Sequence, residues 1–472
     1  MVNKTKHSGN QTGAPTRLPA VRALLARYFA RRMVYPWERP GIMRKHIYTG
    51  VLGSIWVSLI AGLFFFHFGT SIGLTKLHWG ILAAGSSWFA AAQLVSAYVT
   101  QRTGRRKAIW FWFAIGDRVL RLAGILLAFW LWQAGWPYAA IVFIVAINLA
   151  DLLNTMSSPP WLSWLADIIP SEEHGTFWGR RSAWISLAVT AVIIGAAVMV
   201  RYTPEAYKLQ VIVGMFVVAT IVGLADLIIH GTIPEPQMVL PERDHFWRQV
   251  LEPLRDRAFR PWLTFNAAWT FSMTLGGGLA MLYFLDELEF KNDFVGGVIV
   301  ASCIPLLGTM LSGKWSGRLV DRFGTRPVLF WSHMSWTLLP VFWVLATPRT
   351  AVVLIALSSA IAGVGCTAAG TAANKLVVRV PPPGRCPIYT AVSTTLGCVV
   401  GGFAVLGAGV FLRSLSDWSF TIAGRPFGAF QLLFAISFAL RLVSTVVLVP
   451  RLDNSVPHSA ETAAVRAKAP AP

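Results

Sequence analysis

Acidic residues are scarce in this chain of 472 residues. It carries 21 Asp and Glu against 41 Lys and Arg, and charged residues of every kind make up only 13% of it. A soluble domain holds about 25% charged residues, so a chain this poor in them is not coated for water on all sides. Cysteine is rarer still. Cys303, Cys366, Cys386 and Cys398 fall in or beside apolar runs and form no CxxC pair. Neither a disulfide framework nor a zinc site is indicated, which leaves them as small apolar fillers. No HExxH cluster and no nucleophile–base pair is found, so an enzyme, a metal and a cofactor are all unexpected. "GTMLSGKW" (Gly308–Trp315) has the spacing of a phosphate-binding loop. It lacks the Ser or Thr after the lysine and ends an apolar run with no strand before it, so no nucleotide site is read there.

A secretory leader is missing as well. Residues 1–46 are basic and interrupted by proline, without a continuous apolar core. "VRALLARYFARRM" (Val21–Met33) is at most a weakly amphipathic helix along the inner membrane surface. The sequons at Asn3 and Asn10 share this segment, which the topology below places inside, so glycosylation is not expected.

What the chain has in abundance is apolar sequence. Hydrophobic residues make up 55% of it, and the mean hydropathy is +0.57. Twelve apolar runs can be marked, at 48–70, 79–99, 108–132, 137–157, 182–200, 209–230, 261–285, 294–313, 327–346, 351–373, 388–412 and 428–449. A helix needs about 20 residues to cross ~30 Å of hydrocarbon, and lipid leaves open segments no other conformation. The expected fold is therefore an all-α integral membrane protein of twelve transmembrane helices.

The net charge of +20 raises the question of a nucleic-acid partner. Position answers it: the bases gather in alternate short connectors rather than in one basic domain. That asymmetry places both termini in the cytoplasm of a cell's inner or plasma membrane. The longest internal connector, 231–260, opens with the irregular "GTIPEPQMVLPERD" and closes with "HFWRQVLEPLRDRAFRPW", an aromatic and basic stretch suited to the interface. The expected organisation is a basic cytoplasmic segment 1–46, a six-helix bundle 47–230, a cytoplasmic linker 231–260, a second six-helix bundle 261–449, and a disordered tail 450–472.

One polar connector occurs twice. "SGRLVDRFGTRPVL" (Ser316–Leu329) has a blurred copy in "SAYVTQRTGRRKAI" when Gly324 is matched to Gly104. The first resembles the G-x-L-x-D-R-x-G-x-R motif of the major facilitator superfamily, filled here by Gly317, Leu319, Asp321, Arg322, Gly324 and Arg326. The N-half copy keeps Arg102, Gly104, Arg105 and Arg106, and departs at Ala97 and Gln101. A second echo pairs "DIIPSEEHGTFWGRR" with "VRVPPPGRCPIYTAV", aligning Pro170 with Pro381, His174 with Arg385 and Trp178 with Tyr389. The resemblance covers about residues 45–450 and implies two six-helix bundles related by a pseudo-two-fold. It also implies that the connector contacts latch the cytoplasmic side in one state and release it in another. Gln101 cannot supply the acid's charge, so the C-half latch is expected to be the stronger. Simple topology anchoring is the alternative reading of the same charges.

Ionisable residues inside hydrocarbon are costly and turn toward a cavity or one another. The third run, "AIWFWFAIGDRVLRLAGILL", carries Asp117, Arg118 and Arg121; Asp117 and Arg121 stand four apart on one face and can pair. The fourth run, "INLADLLNTMSSPPW", sets Asn148, Asp151, Asn154 or Thr155, and Ser158 in one polar stripe. Arg118 or Arg121 can reach Asp151 if the two helices adjoin. A half-buried carboxylate gains proton affinity unless an arginine pairs with it, which makes Asp151 the candidate for proton coupling. A fixed salt bridge and a contact to a substrate ammonium stay open. In the seventh run Asn266, Trp269 and three glycines at 276–278 are candidates for a gate or solute contact; packing of small residues is the alternative. Asp226 and His230 read as interfacial, and Arg441 has no partner legible in sequence.

These residues imply a secondary transporter that moves a small, polar or charged solute by alternating access, with protons as a possible coupling ion, as a monomer in the bilayer. An exporter of drugs or metabolites with the same fold, and a transporter-like receptor or assembly protein without flux, are the alternatives carried forward.

Overall fold

The computed structural model describes residues 28–29, 32–168, 174–238, 245–290, 293–381, 386–422 and 425–452. The sequons, most of the Val21–Met33 segment, Pro170, Arg385 and the tail from 453 lie outside the described residues, as do the side chains of His174, Trp178 and Asp321. Twelve helical crossings are seen among the described residues. In the N-terminal half they are α1 (Arg39–Ile60, resumed as Leu63–Ser71), α2 (Lys76–Phe89 and Ala92–Thr103), α3 (Arg106–Gln133), α4 (Ala139–Ala166), α5 (His174–Tyr202) and α6 (Glu205–His230). In the C-terminal half they are α7 (Arg260–Gly277, continued to Glu287), α8 (Phe294–Val298 through Ile304–Phe323), α9 (Thr325–Thr337 and Leu339–Leu345), α10 (Ala351–Arg379), α11 (Cys386–Ser414) and α12 (Ala429–Val443, continued to Leu448).

By length and hydropathy alone, 11 of these helices qualify as membrane spans. The twelfth is α3. Asp117, Arg118 and Arg121 sit so near the middle of its 28 residues that every long window across it contains all three. The charges that disguise α3 are the ones that build the site described below.

Several helices overrun the apolar runs that mark them. α1 begins at Arg39, inside the stretch read as a polar N-terminal segment, and α4 continues to Ala166. Apolar composition reports only the part of a helix that lies in hydrocarbon; beyond it, water can satisfy side chains while the backbone pattern continues. A short hairpin escaped notice altogether: β1 (Ser419–Ile422) pairs antiparallel with β2 (Arg425–Gly428) between α11 and α12.

The helices pack as two groups of six. Within the first, α3 lies along α4, and α1 lies against α5 and α6. Within the second, α8 and α9 pack on α10, and α7 on α11 and α12. The halves meet along α2 with α11 and along α5 with α8, two contacts that exchange under a two-fold carrying each helix into the one six places on. Backbones approach closely at the first, where Gly80 faces Gly409 with no room for a side chain between them.

These contacts are not spread evenly through the depth. Gln93 donates to Thr395 (3.1 Å), and Trp88 donates to the Val399 carbonyl (3.2 Å). Further toward the end opposite the basic connectors, here the far face, Lys76 lies 4.8 Å from the Phe430 ring centre and Leu63 packs on Gly297. On the basic face the halves are bridged by the connector helix Phe246–Arg255, which packs on α11 and sets Phe246 5.2 Å from the Tyr98 ring of α2.

Arg441 of α12 finds its partners in backbone. It is 5% exposed and donates to the carbonyls of Met273 and Trp336, each at 3.1 Å. Both carbonyls lie near the end of a helical segment: α7 is interrupted after Gly277, and the first part of α9 ends at Thr337, ahead of Pro340. The guanidinium sits at two negative helix ends, which is how a buried cation is held here without an acid.

Candidate charged cavity in the N-terminal half

Packing α3 against α4 and α6 brings six ionisable side chains together. Arg121 donates to Asp117 Oδ1 from Nε (3.0 Å) and Nη2 (2.8 Å), the pairing that four-residue spacing allows. Its Nη2 also reaches Asp151 Oδ1 on α4 at 2.6 Å. Ser86 of α2 donates to the other oxygen of Asp151. Arg118, one residue round the helix from Asp117, turns toward α6 and donates to Asp226 at 2.9 Å. Its guanidinium also lies 4.3 Å from the Trp56 ring centre, a cation–π contact. Arg181 of α5 places a second guanidinium within electrostatic reach of Asp226.

Small residues make room for this cluster. A Cβ at Gly50 would lie 2.6 Å from Arg181 Nε, and one at Gly53 would lie 2.9 Å from Asp226 Oδ2. The α1 backbone thus forms a wall against which Arg181 and Asp226 are pressed.

Beside the cluster lies a cavity of about 280 Å³, bounded by α1, α3, α4, α5 and α6. Arg118, Arg181 and Asp226 line it, with Trp56, Trp110 and Trp161 as apolar walls. Asn154 and Ser158 of the α4 stripe also line it and are exposed. His230 lines it toward the basic end. Trp161 Nε1 donates to His230 Nε2 (3.1 Å), and Thr49 pairs with its Nδ1 (2.9 Å). A ring nitrogen that accepts from an indole N–H carries no proton, so this imidazole is neutral. His46 stands edge-on to it, with ring centres 4.4 Å apart.

The sequence brought Asp117, Arg118, Arg121 and Asp151 into one group; the geometry joins Asp117 and Asp151 through Arg121, while Arg118 pairs with Asp226 instead. Asp226 and His230 are buried in the same site rather than interfacial. Their position near the end of a span concealed this; what marks them is that a neighbouring arginine on α3 had no other acid in reach. Arg181 was missed because it stands close to a connector and reads as a topology anchor. Asn148 donates to the Ile144 carbonyl and presses its amide on Gly85, away from the cavity.

The C-half candidates lie elsewhere. Asn266 donates to the Ser393 carbonyl of α11 at 3.0 Å. Trp269 is buried in the core of that half, 4.4 Å from the His333 ring and stacked on Trp336 at 6.0 Å. Neither borders the charged cavity.

The two copies of the repeated connector also differ. In the N-half, Arg106 is 1% exposed and bonds Asp167 at the end of α4, 2.5 Å away, with Glu235 3.9 Å from its Nε. It donates to the carbonyls of Ser163 (3.0 Å) and Pro236 (2.8 Å) as well. Arg102 donates to the Tyr98 hydroxyl (2.7 Å), and Arg105 is exposed. Gly104 and Gly324 take the positive φ that each turn requires, 61° and 85°. In the C-half, Arg322 lies over the Phe323 ring (5.3 Å), and Arg326 makes no ion pair among the described residues. Gly317 sits within α8. When Pro170 is matched to Pro381, Asp167 falls on Val378, so the acid that receives Arg106 has no counterpart at the matched position of the C-half. Among the described residues the ion pairs fall on the N-half copy, where the motif itself is weaker.

A profile of the Major Facilitator Superfamily matches residues 47–406. The chain belongs to that superfamily. Among solved structures, a mutant of the nucleoside transporter NupG superposes with a TM-score of 0.65 at 11% identity, over 87% of this chain and 100% of its own. A D-xylose-proton symporter gives 0.62 at 14%, over 88% and 99%. A bacterial homologue of the iron transporter ferroportin, inward-facing, gives 0.59 at 13%, over 89% and 99%. At such identities the likeness is one of fold. No curated protein matches the sequence. As a superfamily member this chain is a multi-pass membrane protein of the transporter fold, with twelve helices in two bundles.

A larger cavity, about 410 Å³, opens on the far face beneath the β1–β2 hairpin, between Lys76 and α12. It contains none of the buried ion pairs.

Proposed function

We propose that the chain is a secondary transporter for a small polar or charged solute, working by alternating access with its basic face and both termini in the cytoplasm. The observation that carries this reading is the 280 Å³ cavity with three arginine and aspartate side chains on its wall. Buried charge inside hydrocarbon is costly, and here it borders a space that a solute can enter. The uneven contact between the halves supports it: among the described residues their spans meet from mid-depth to the far face, with the connector helix bridging them on the basic side, an arrangement suited to a carrier open toward its basic side.

Proton coupling is assigned to Asp151, whose side chain is 20% exposed at the edge of the cluster and is shared between Arg121 and Ser86. A proton on Asp151 releases Arg121 to Asp117 alone. That links the protonation of α4 to the packing of α3 against it.

Counterflow by purified protein in liposomes tests the transporter reading. Solute trapped inside should drive uptake of labelled solute without any other gradient. Asp151→Asn should keep counterflow and lose accumulation driven by a pH gradient. Accumulation that persists removes Asp151 from the coupling; absence of counterflow across sugars, nucleosides, amines and organic acids favours the receptor reading.

A further inference from the structure

The seam between the halves ends in a basic groove on the far face. α2 and α11 approach most closely at Gly80 and Gly409. Four residues further along each helix they part around a space of about 380 Å³. Thr75, Lys76 and His78 of the N-terminal half line it, together with Arg413 and Ser416 of the C-terminal half and two leucines. Lys76 opens the α2 span and Arg413 is the residue before the end of the α11 span. Both therefore stand at headgroup level, where long basic side chains reach lipid phosphates.

The lining of this groove is rich in donors and holds no acid. Lys76, His78 and Arg413 take part in no ion pair among the described residues. Glu287 and Asp417 border the larger cavity beneath the hairpin, which shares Lys76 and Ser416 with the groove, but neither lines the groove itself. His78 Nδ1 accepts from the backbone N–H of Thr75 at 3.3 Å, so the ring proton sits on Nε2 and is free to be donated. Thr75 Oγ1 accepts from the N–H of His78 and keeps its own proton for a ligand. Like charges from opposite halves thus share one space. Closing the far side brings Lys76 and Arg413 together, which is unfavourable unless an anion lies between them.

We propose that the groove binds the phosphate of an anionic phospholipid of the far leaflet, and that the bound lipid bridges Lys76 and Arg413 and holds the far side shut. A lipid is favoured over a free anion because the groove opens at headgroup level between the ends of two spans. A headgroup that carries its own ammonium fits less well, because the two cations of the groove repel it. The walls of the site belong to different halves, so the site exists only while those halves meet. A ligand that binds one of two states draws the population toward it, here toward the state open on the basic side. Binding of the lipid is independent of the transporter reading; its effect on opening rests on that reading.

The test uses full-length protein in nanodiscs of phosphatidylcholine, with or without phosphatidylglycerol, and a cysteine introduced at the basic mouth. Phosphatidylglycerol should speed labelling of that cysteine several-fold and should stay on the protein when the discs are opened in a mass spectrometer. Lys76→Gln and Arg413→Gln should each lower the retained phosphatidylglycerol about fivefold, the worth of one charge at a membrane surface, and the double variant should lose the labelling response. Lys76→Arg with Arg413→Lys, which keeps both charges, should retain it. So should Arg201→Gln, which removes an exposed base at the far end of α5. Labelling indifferent to phosphatidylglycerol, a response that survives in the double variant, or an equal response to inorganic phosphate in phosphatidylcholine discs would each overturn the proposal. A lipid response in a protein that shows no counterflow would sink the transporter reading and leave the lipid site standing.

Discussion

Arg121 and Asp151 form an ion pair across the α3–α4 interface, with Nη2 2.6 Å from Oδ1. The same nitrogen also serves Asp117, so one guanidinium holds two carboxylates. Removing it leaves two buried acids facing each other. Arg121→Met should lower thermal stability in detergent by about 3–5 kcal/mol, the range for breaking a buried pair from one side. Adding Asp151→Asn should recover a large part of that loss, because neighbouring sites couple. A double variant as unstable as the sum of the two singles would show that Arg121 acts through packing instead.

Arg106 gives the second prediction. Its contacts with Asp167, Ser163, Glu235 and Pro236 tie the start of α3 to the end of α4 and to the segment after α6. Arg106→Gln should change the labelling rate of a cysteine placed at the basic mouth several-fold, and Arg326→Gln much less. The opposite order would put the stronger latch in the C-half, as the content of the motif alone suggests.

The repeated connector shows where the sequence was informative and where it was not. Gly104, Gly324 and the arginines around them are legible because turns and headgroup contacts depend on local residues. Their partners are not. Asp167 lies 61 residues from Arg106, and only the packing of α3 on α4 tells that it receives the charge, with Glu235 close by. The i,i+4 pair of Asp117 and Arg121 was readable for the same local reason. Asp226 was hidden because its arginine is 108 residues away, and Arg441 because its partners are main-chain carbonyls that any sequence would offer. The twelve spans were legible from apolar runs, including α3, whose flanks stay apolar although its centre does not.

Gly50 supplies a third prediction. Gly50→Ala puts a methyl within 2.8 Å of three atoms of the Arg181 guanidinium. The arginine must turn from the cavity wall, so solute binding should fall about tenfold with little change in melting temperature. Gly41→Ala, at a position with nothing within 4 Å, is the matched control. Equal effects of the two would mean that Arg181 does not hold the solute.

Arg441 supplies the fourth. Its two carbonyl partners stand at separate helix ends, and a forked guanidinium spans both where an ammonium cannot. Arg441→Met should cost about 1–3 kcal/mol, the range for leaving a buried polar group unpaired, and Arg441→Lys should recover at most half, as read by thermal unfolding. Full recovery by lysine would mean that charge rather than bridging geometry matters there.

α3 also fixes an order of biogenesis. A central arginine or aspartate raises the free energy of inserting a single helix by about 2.5–3.5 kcal/mol. Asp117 and Arg121 can shield each other as soon as α3 leaves the ribosome. Arg118 has no acid of its own until α6 brings Asp226, so the nascent third helix must be sheltered, by the insertion machinery or by water, until half of the polypeptide has been made.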